Sequence, residues 1–459
     1  MIKSSLTQLQ TRLHAARSTA AAAFHGVTTN SRDVVPGNLF VALRGERFDA
    51  HDFLGDVAAR GAAAVVVEKL PDGFGLPALV VPDTRAALGE IGAYWRRQFD
   101  IPVIGVTGSN GKTTVKEMIA AILAAEFGAD PYLATRGNLN NDIGVPLTLL
   151  RLEAAHKAAV VELGMNHPGE IAQLAAMAQP TVGLENNAQR EHQEFMASVE
   201  AVAHENGSVI NALPANAIAV FPADDPYTPL WRSLARASGQ RKVLTFGLSQ
   251  EASVSCTYVP QAFGSVMTVR VGQREFSVKL AAAGVHNVRN ALAAIACTLA
   301  IGIHRRAIVK GLESFLPVSG RLQHKAGRNG ASVIDDTYNA NPDSVKAAID
   351  VLAQAPAPRV LVLGDMGEVG SEGRKFHEEI GAYARGRGID HLLTLGELAG
   401  SASNAFGARA RHYDNVESLN DAASSVVTPG ATVLVKGSRF MRMERVVQRL
   451  AVDAVQEAH

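Results

Sequence analysis

The chain has 459 residues, 47% of them apolar and 19% charged, with 44 basic side chains balancing 44 acidic ones. The length exceeds one ordinary core and sets an expectation of about three domains. The charge balance excludes a partner recruited by bulk electrostatics, whether nucleic acid or an anionic membrane surface.

Two cysteines, Cys256 and Cys297, are too few for a disulfide framework or a cysteine-based zinc site, which fits a reducing compartment. The first residues lack the apolar core of a signal peptide, and no run approaches the roughly 18 apolar residues needed to cross a bilayer. The expectation is a cytoplasmic protein without membrane insertion.

Residues 1–100 carry a turn signal at Asp33-Val34-Val35-Pro36-Gly37-Asn38. Strand-like runs stand at 39–43 and 63–67, and an amphipathic helix over 84–99 closes the block. In residues 101–316 short β runs at 103–106, 159–163, 181–184 and 217–221 alternate with alanine-rich helical runs, the pattern of a parallel sheet wound with helices. A hairpin is expected over 265–280, turning at Val271-Gly272-Gln273-Arg274, and a helix over 287–301. Pro317-Val318-Ser319-Gly320 reads as a linker. Beyond it, in 317–459, β runs at 333–334, 360–363, 392–395 and 432–435 are again spaced by helices, a second and smaller α/β domain.

One segment carries clear chemistry. Thr107-Gly108-Ser109-Asn110-Gly111-Lys112-Thr113-Thr114 follows an apolar strand and precedes a helix. In that geometry backbone N–H groups and a helix N-terminus face an anion, a lysine reaches the terminal phosphates and a hydroxyl reaches magnesium. The full Walker A spacing places a glycine where Val106 stands, so the segment is a shortened relative of that loop. Glu162 ends an apolar run and so puts a carboxylate at the C-terminal edge of the sheet, where open α/β sheets bind ligands. By periodicity alone it is equally an ordinary polar strand end. His192 is ambiguous by itself, and Asn287 is readable as a simple helix cap. Arg321 and the pair Asp335-Asp336 either close over a nucleotide or form a surface ion pair.

Taken together, these pieces resemble the Mur ligase family, ATP-dependent amide-forming enzymes of peptidoglycan precursor synthesis. The shared marks run over nearly the whole chain. They are the 107–114 loop, Glu162 in Val-Glu-Leu-Gly-Met-Asn, His286-Asn287-x-x-Asn290, Gly320-Arg321-Leu322 and Asp335-Asp336-Thr337-Tyr338-Asn339-Ala340-Asn341-Pro342. The Leu363–Glu368 segment with His377, Val435–Arg439 and the absence of an Asp-Asn-Pro-Arg motif are similar to the dipeptide-adding branch rather than the diaminopimelate- or lysine-adding one.

The resemblance implies three α/β domains: a UDP-sugar-binding domain (1–100), a central P-loop ATPase domain with a mostly parallel sheet (101–316) and a Rossmann-like domain (317–459). It implies an ATP- and Mg2+-dependent ligase, a monomer, that joins D-alanyl-D-alanine to UDP-N-acetylmuramoyl-tripeptide. Gly108, Ser109, Asn110, Gly111, Lys112, Thr113 and Thr114 would cradle ATP, with Asn290, Arg321 and Asp336 also touching it. Thr113 and Glu162 would hold one magnesium and His192 a second, and Lys112, Glu162 and His192 form the catalytic set. Ser31 and Arg32 would meet the uridine diphosphate end, Asn138 and Asn141 the muramoyl peptide, and Asn339 and Asn341 the dipeptide.

One position departs from the pattern. Asn206 stands where many members carry a carbamylated lysine that helps ligate the second magnesium, and a neutral amide is a weaker ligand for a hard cation. Either Glu205 or Glu191 supplies the anion, or that site is weaker. The rival expectations are another amide ligase of the superfamily, such as a folylpolyglutamate synthase, and a regulatory P-loop ATPase. A separate Ser31-Arg32 block weighs against the folylpolyglutamate synthase. A dinucleotide oxidoreductase is disfavoured because no G-x-G-x-x-G follows an opening strand.

Overall fold

The computed structural model describes residues 1–46, 48–191, 194–237, 239 and 241–452. It is a mixed α/β chain built on mostly parallel sheets. In the first unit a five-stranded sheet runs in the order Arg17–Ser18, Ala78–Val80, Ala64–Val67, Leu39–Val41, Val27–Thr28, beside a two-stranded ribbon of Lys3–Ser5 and Ala23–His25. The expected helix begins at Thr84, capped by Asp83, and ends at Arg96. Its last three expected residues are lost because the Arg96 guanidinium donates to the carbonyls of Phe99 and Ile101, folding the chain towards Pro102.

The nine-stranded central sheet places Val103–Thr107 between Ala158–Glu162 and Val182–Glu185, all parallel. These strands are buried on both faces, which is why they read as unbroken apolar runs. Their shared register brings Thr107, Glu162 and Glu185 to one C-terminal edge. The hairpin pairs Gly264–Val271 with Arg274–Leu280 around Gly272-Gln273, as the turn residues predict, and a further antiparallel strand, Val254–Gln261, joins it. The helix expected from Asn287 starts at Val285 instead. Gly284 caps it at φ +93°, and the Asn287 amide donates to the Ala283 carbonyl rather than capping.

The third unit has a six-stranded sheet whose parallel strands end at Asp336, Lys436 and Gly364 along one edge. No helix among the described residues is long and apolar enough to cross a membrane.

Candidate active site

Gly108 and Gly111 take positive φ values of 129° and 83°, a region that side chains strain to adopt. A Cβ at Gly108 would also stand 2.9 Å from the Cβ of Asn186, and one at Gly111 would collide with the Asn290 amide oxygen. The glycines therefore let the loop lie against the neighbouring strand end. That strand end holds it in place. Asn187 accepts from the N–H groups of Ser109 and Asn110 at 2.8 and 2.9 Å, and Asn186 and Asn187 both donate to the Asn110 carbonyl. Gly111 caps the helix Lys112–Phe127, so the first N–H groups of a 16-residue helix open onto the loop.

Thr113 donates its hydroxyl proton to Glu162 Oε1 at 3.1 Å, and Asn140 donates to the same oxygen at 2.8 Å. Glu162 Oε2 is buried and has no hydrogen-bond partner among the described residues. A carboxylate oriented through one oxygen and left open at the other fits a hard cation, and magnesium characteristically takes one or two carboxylates plus phosphate oxygens. Lys112 Nζ donates to the carbonyls of Gly108 and Ser109 and lies 3.3 Å from Glu191 Oε2.

Three acids sit close to Lys112 or Asn206, and they differ. Glu205 accepts from the N–H groups of Gly169 and Ile171 at the start of the helix Glu170–Ala178, so its charge is committed there. Glu191 lies between Lys112 and Asn206, accepting from the Asn206 amide at 3.4 Å. The Asn206 oxygen accepts from Thr107. Of the two acids the sequence offers as a replacement anion, Glu191 stands beside the phosphate loop. Glu185 is fully buried with both oxygens unpartnered among the described residues. Burial first, then the charges of Glu191 and Asp225, push its pKa well above the ordinary carboxylate value.

The third unit closes one wall of the same cleft, whose volume is about 970 Å³. Arg321 Nη2 donates to Thr113 Oγ1 at 2.9 Å, with its guanidinium 4.1 Å from the Tyr338 ring centre. Asp336 pairs with Lys436 at 2.6 Å, whereas Asp335, one residue earlier on the strand, pairs with Lys325. Asn341 caps the helix Pro342–Gln354 and donates to the Asn110 side chain at 3.0 Å.

The whole 108–114 loop except Gly108, together with Glu162, Asn138, Asn141, Asn290, Arg321, Asp336, Asn339 and Asn341, lines the cleft. Gly108 is not among the lining residues, though its carbonyl accepts from Lys112. Ser31 and Arg32 form an exposed turn of the first unit and are not among the lining residues, which from that unit are Glu46 and Arg85. His192 lies outside the described residues. Sequence reasoning missed Asn140, Glu185, Asn186 and Asn187. For Glu185, Asn186 and Asn187 the available signal was their place just after the predicted strand at 181–184, and for Asn140 its place between Asn138 and Asn141. Asp365 and His377 serve the backbone instead. Asp365 accepts from Leu398 and Ala399, while His377 accepts from the Met366 N–H and lies 2.7 Å from the Gly373 carbonyl.

Three family models match in succession: the Mur ligase family catalytic domain over residues 23–96, the Mur ligase middle domain over 106–298, and the Mur ligase glutamate ligase domain over 320–439. The chain is 41% identical over 454 residues to UDP-N-acetylmuramoyl-tripeptide–D-alanyl-D-alanine ligase of Escherichia coli (strain K12), covering 98% of this chain and 99% of that one. It is similar to the crystal structure of MurF from Acinetobacter baumannii at a TM-score of 0.91 and 34% identity, covering 97% and 98%. MurF from Thermotoga maritima in complex with ADP matches at a TM-score of 0.82 and 27% identity, covering 93% and 96%. With its ordered sheets, its phosphate loop and relatives matched along nearly its full length, the chain belongs to the Mur ligase family.

Proposed function

We propose that this chain joins D-alanyl-D-alanine to the C-terminal carboxylate of UDP-N-acetylmuramoyl-tripeptide, giving UDP-N-acetylmuramoyl-pentapeptide, ADP and phosphate for peptidoglycan synthesis. The observation that carries the reading is the junction at Thr113, where one hydroxyl meets Glu162 of the central sheet and Arg321 of the third unit. A guanidinium brought from a separate unit to the loop hydroxyl closes the site, and a two-substrate ligation gains from that closure.

A carboxylate resists attack by an amine because its leaving group would be oxide. Transfer of the γ-phosphoryl group breaks its bond to the β-phosphate oxygen and forms one to the carboxylate, giving an acyl phosphate. The dipeptide amine then attacks the carbonyl carbon, loses its proton, and phosphate leaves. Phosphoryl transfer asks chiefly for positioning and charge stabilisation. Lys112 and the loop N–H groups hold the β- and γ-phosphates, and Asn290, Arg321 and Asp336 contact ATP. Thr113 and Glu162 would hold one magnesium ion and His192 a second; such ions neutralise charge on the phosphate oxygens. Ser31 and Arg32 meet the uridine diphosphate, Asn138 and Asn141 the peptide, and Asn339 and Asn341 the dipeptide.

The domains divide near residues 100 and 316, with hinges at Pro102 and Pro317, and closure keeps water from the acyl phosphate. The enzyme works as a cytoplasmic monomer without membrane insertion. The test is phosphate release from ATP with UDP-N-acetylmuramoyl-tripeptide, with and without D-alanyl-D-alanine, alongside mass detection of the pentapeptide. Release that needs both substrates and yields the amide supports the ligase; release indifferent to both favours a regulatory ATPase.

A further inference from the structure

The segment Gln189-Arg190-Glu191 touches the phosphate loop and the third unit at once. On the loop side, the Gln189 N–H donates to Ser109 Oγ at 2.8 Å, and its Oε1 accepts from the Asn110 amide at 2.7 Å. Glu191 accepts from Lys112 and from Asn206. Between them, Arg190 faces the other way. Its backbone N–H donates to Asp343 Oδ2 at 2.9 Å, and its Nη2 to Asp343 Oδ1 at 2.6 Å. Its Nη1 donates to Glu379 Oε2 at 2.9 Å, and the guanidinium lies 5.4 Å from the Phe376 ring centre. Lys346 adds a second cation on Glu379. Asp343 sits in the first turn of the helix Pro342–Gln354, whose cap Asn341 also reaches Asn110.

We infer that Arg190 is a positioning residue that couples seating of the third unit to the placement of Lys112. The planar fork satisfies two carboxylates on two different helices, Pro342–Gln354 and Gly373–Gly386, so its full set of bonds exists only when both are docked. Its chain neighbours on either side hold the loop: Gln189 fixes Ser109 and Asn110, and Glu191 fixes the lysine. Undocking therefore releases the segment that orients Lys112, and docking restores it. The consequence is that ATP binds to the open protein, while phosphoryl transfer waits for closure. This inference rests on the ligase reading for its kinetic arm and on geometry alone for its structural arm.

The test uses the full-length chain carrying Arg190→Ala, Arg190→Lys or Glu379→Gln. Solution scattering is recorded with a non-hydrolysable ATP analogue and the UDP-tripeptide, and steady-state kinetics with all substrates. Misplacement of about 1 Å at a reacting centre costs on the order of a hundredfold. For Arg190→Ala the expected result is thus a kcat lower by roughly ten- to a hundredfold, with the KM for ATP essentially unchanged and a larger radius of gyration than wild type under identical ligands. Arg190→Lys, which keeps the charge but not the fork, falls between. Glu379→Gln shifts both readouts in the same direction, and combining it with Arg190→Ala adds little, since the two share one contact. Because Glu379 is half-exposed, that variant keeps the test open if Arg190→Ala does not fold. A wild-type radius in folded Arg190→Ala and in Glu379→Gln, or a kcat loss confined to Arg190→Ala, overturns the coupling. A wild-type chain that forms no amide overturns the ligase reading instead and leaves the scattering comparison to judge the coupling.

Discussion

Arg321 of the third unit donates to the Thr113 hydroxyl over 2.9 Å, and Thr113 in turn donates to Glu162. The guanidinium has no carboxylate partner among the described residues and stacks on Tyr338 instead, which leaves its remaining N–H groups available to phosphate oxygens. Arg321→Ala is expected to lower kcat by about 10²- to 10³-fold, the range seen when one donor to developing charge is removed. Arg321→Lys should recover only part of that, because an ammonium cannot keep both the stack and the hydroxyl contact. Equal kcat for wild type and Arg321→Ala would refute the assignment.

Asn140 bears on the same carboxylate from the other side. Its amide and the Thr113 hydroxyl both hold Glu162 Oε1, which fixes the rotamer of this cleft-lining carboxylate and leaves Oε2 without a partner among the described residues. Residues that orient a metal ligand typically account for about 10–100-fold in metal affinity or activity. Asn140→Ala should therefore raise the magnesium concentration for half-maximal ATP binding by about that factor. Calorimetric titration of ATP at stepped magnesium concentrations measures it, and an unchanged midpoint would remove Asn140 from the site.

How much of this was legible varies from residue to residue. Lys112 and Thr113 declare themselves because a glycine-rich loop between an apolar strand and a helix has few other uses. Arg321 and Asp336 sit in short motifs, yet only the fold shows that Asp336 turns to the cleft while Asp335 turns to Lys325, since alternation along a strand is invisible until its register is known. Asn186 and Asn187 look like ordinary loop residues in the chain. They matter because the parallel register sets Glu185 opposite Thr107 and so lays the following residues against the loop. The sequence offered both Glu191 and Glu205 near Asn206. What separates them is the start of the helix Glu170–Ala178, which takes up Glu205 and which no local pattern around residue 205 reveals.

Glu185 makes a stability prediction with a definite sign. Its folded pKa lies above the ordinary 4.5, so folding takes up a proton between 4.5 and the raised value, and its contribution to stability is lost as pH rises through that window. Glu185→Gln keeps the shape and removes the titration. Denaturant melts should find the variant gaining on wild type from pH 5 to pH 8. A difference that stays constant with pH would mean the carboxyl is not held protonated.

Ser438 links two loops at the lip of the cleft. It accepts from the Gly367 N–H at 2.6 Å and donates to the Ala340 carbonyl at 3.2 Å, while 2% exposed. Ser438→Ala leaves the part-buried Gly367 N–H and the buried Ala340 carbonyl without their partner, and should destabilise the chain by about 1–3 kcal/mol in denaturant melts. A loss under half of that would show that water replaces the hydroxyl.

His286 gives the opposite pH signature. Its Nδ1 is buried without a partner among the described residues, and burial pushes its pKa down from 6.5 to about 4, with Lys436 adding to the shift and Asp336 and Asp350 opposing it. A histidine kept neutral in the folded state binds its proton more readily when unfolded. Its contribution to stability is therefore present above pH 6.5 and is lost as pH falls towards 4. The carboxylates of the chain also titrate in acid, so the comparison has to be with His286→Gln, which retains them all. Between pH 7 and pH 4.5 wild type should lose more stability than the variant, with the gap opening below 6.5. Because His286 lies on the cleft beside Asn287 and Asn290, the phosphate charges of added ATP should favour the imidazolium and make the wild-type loss shallower; parallel curves for the two proteins without nucleotide would show that the imidazole protonates freely in the folded chain.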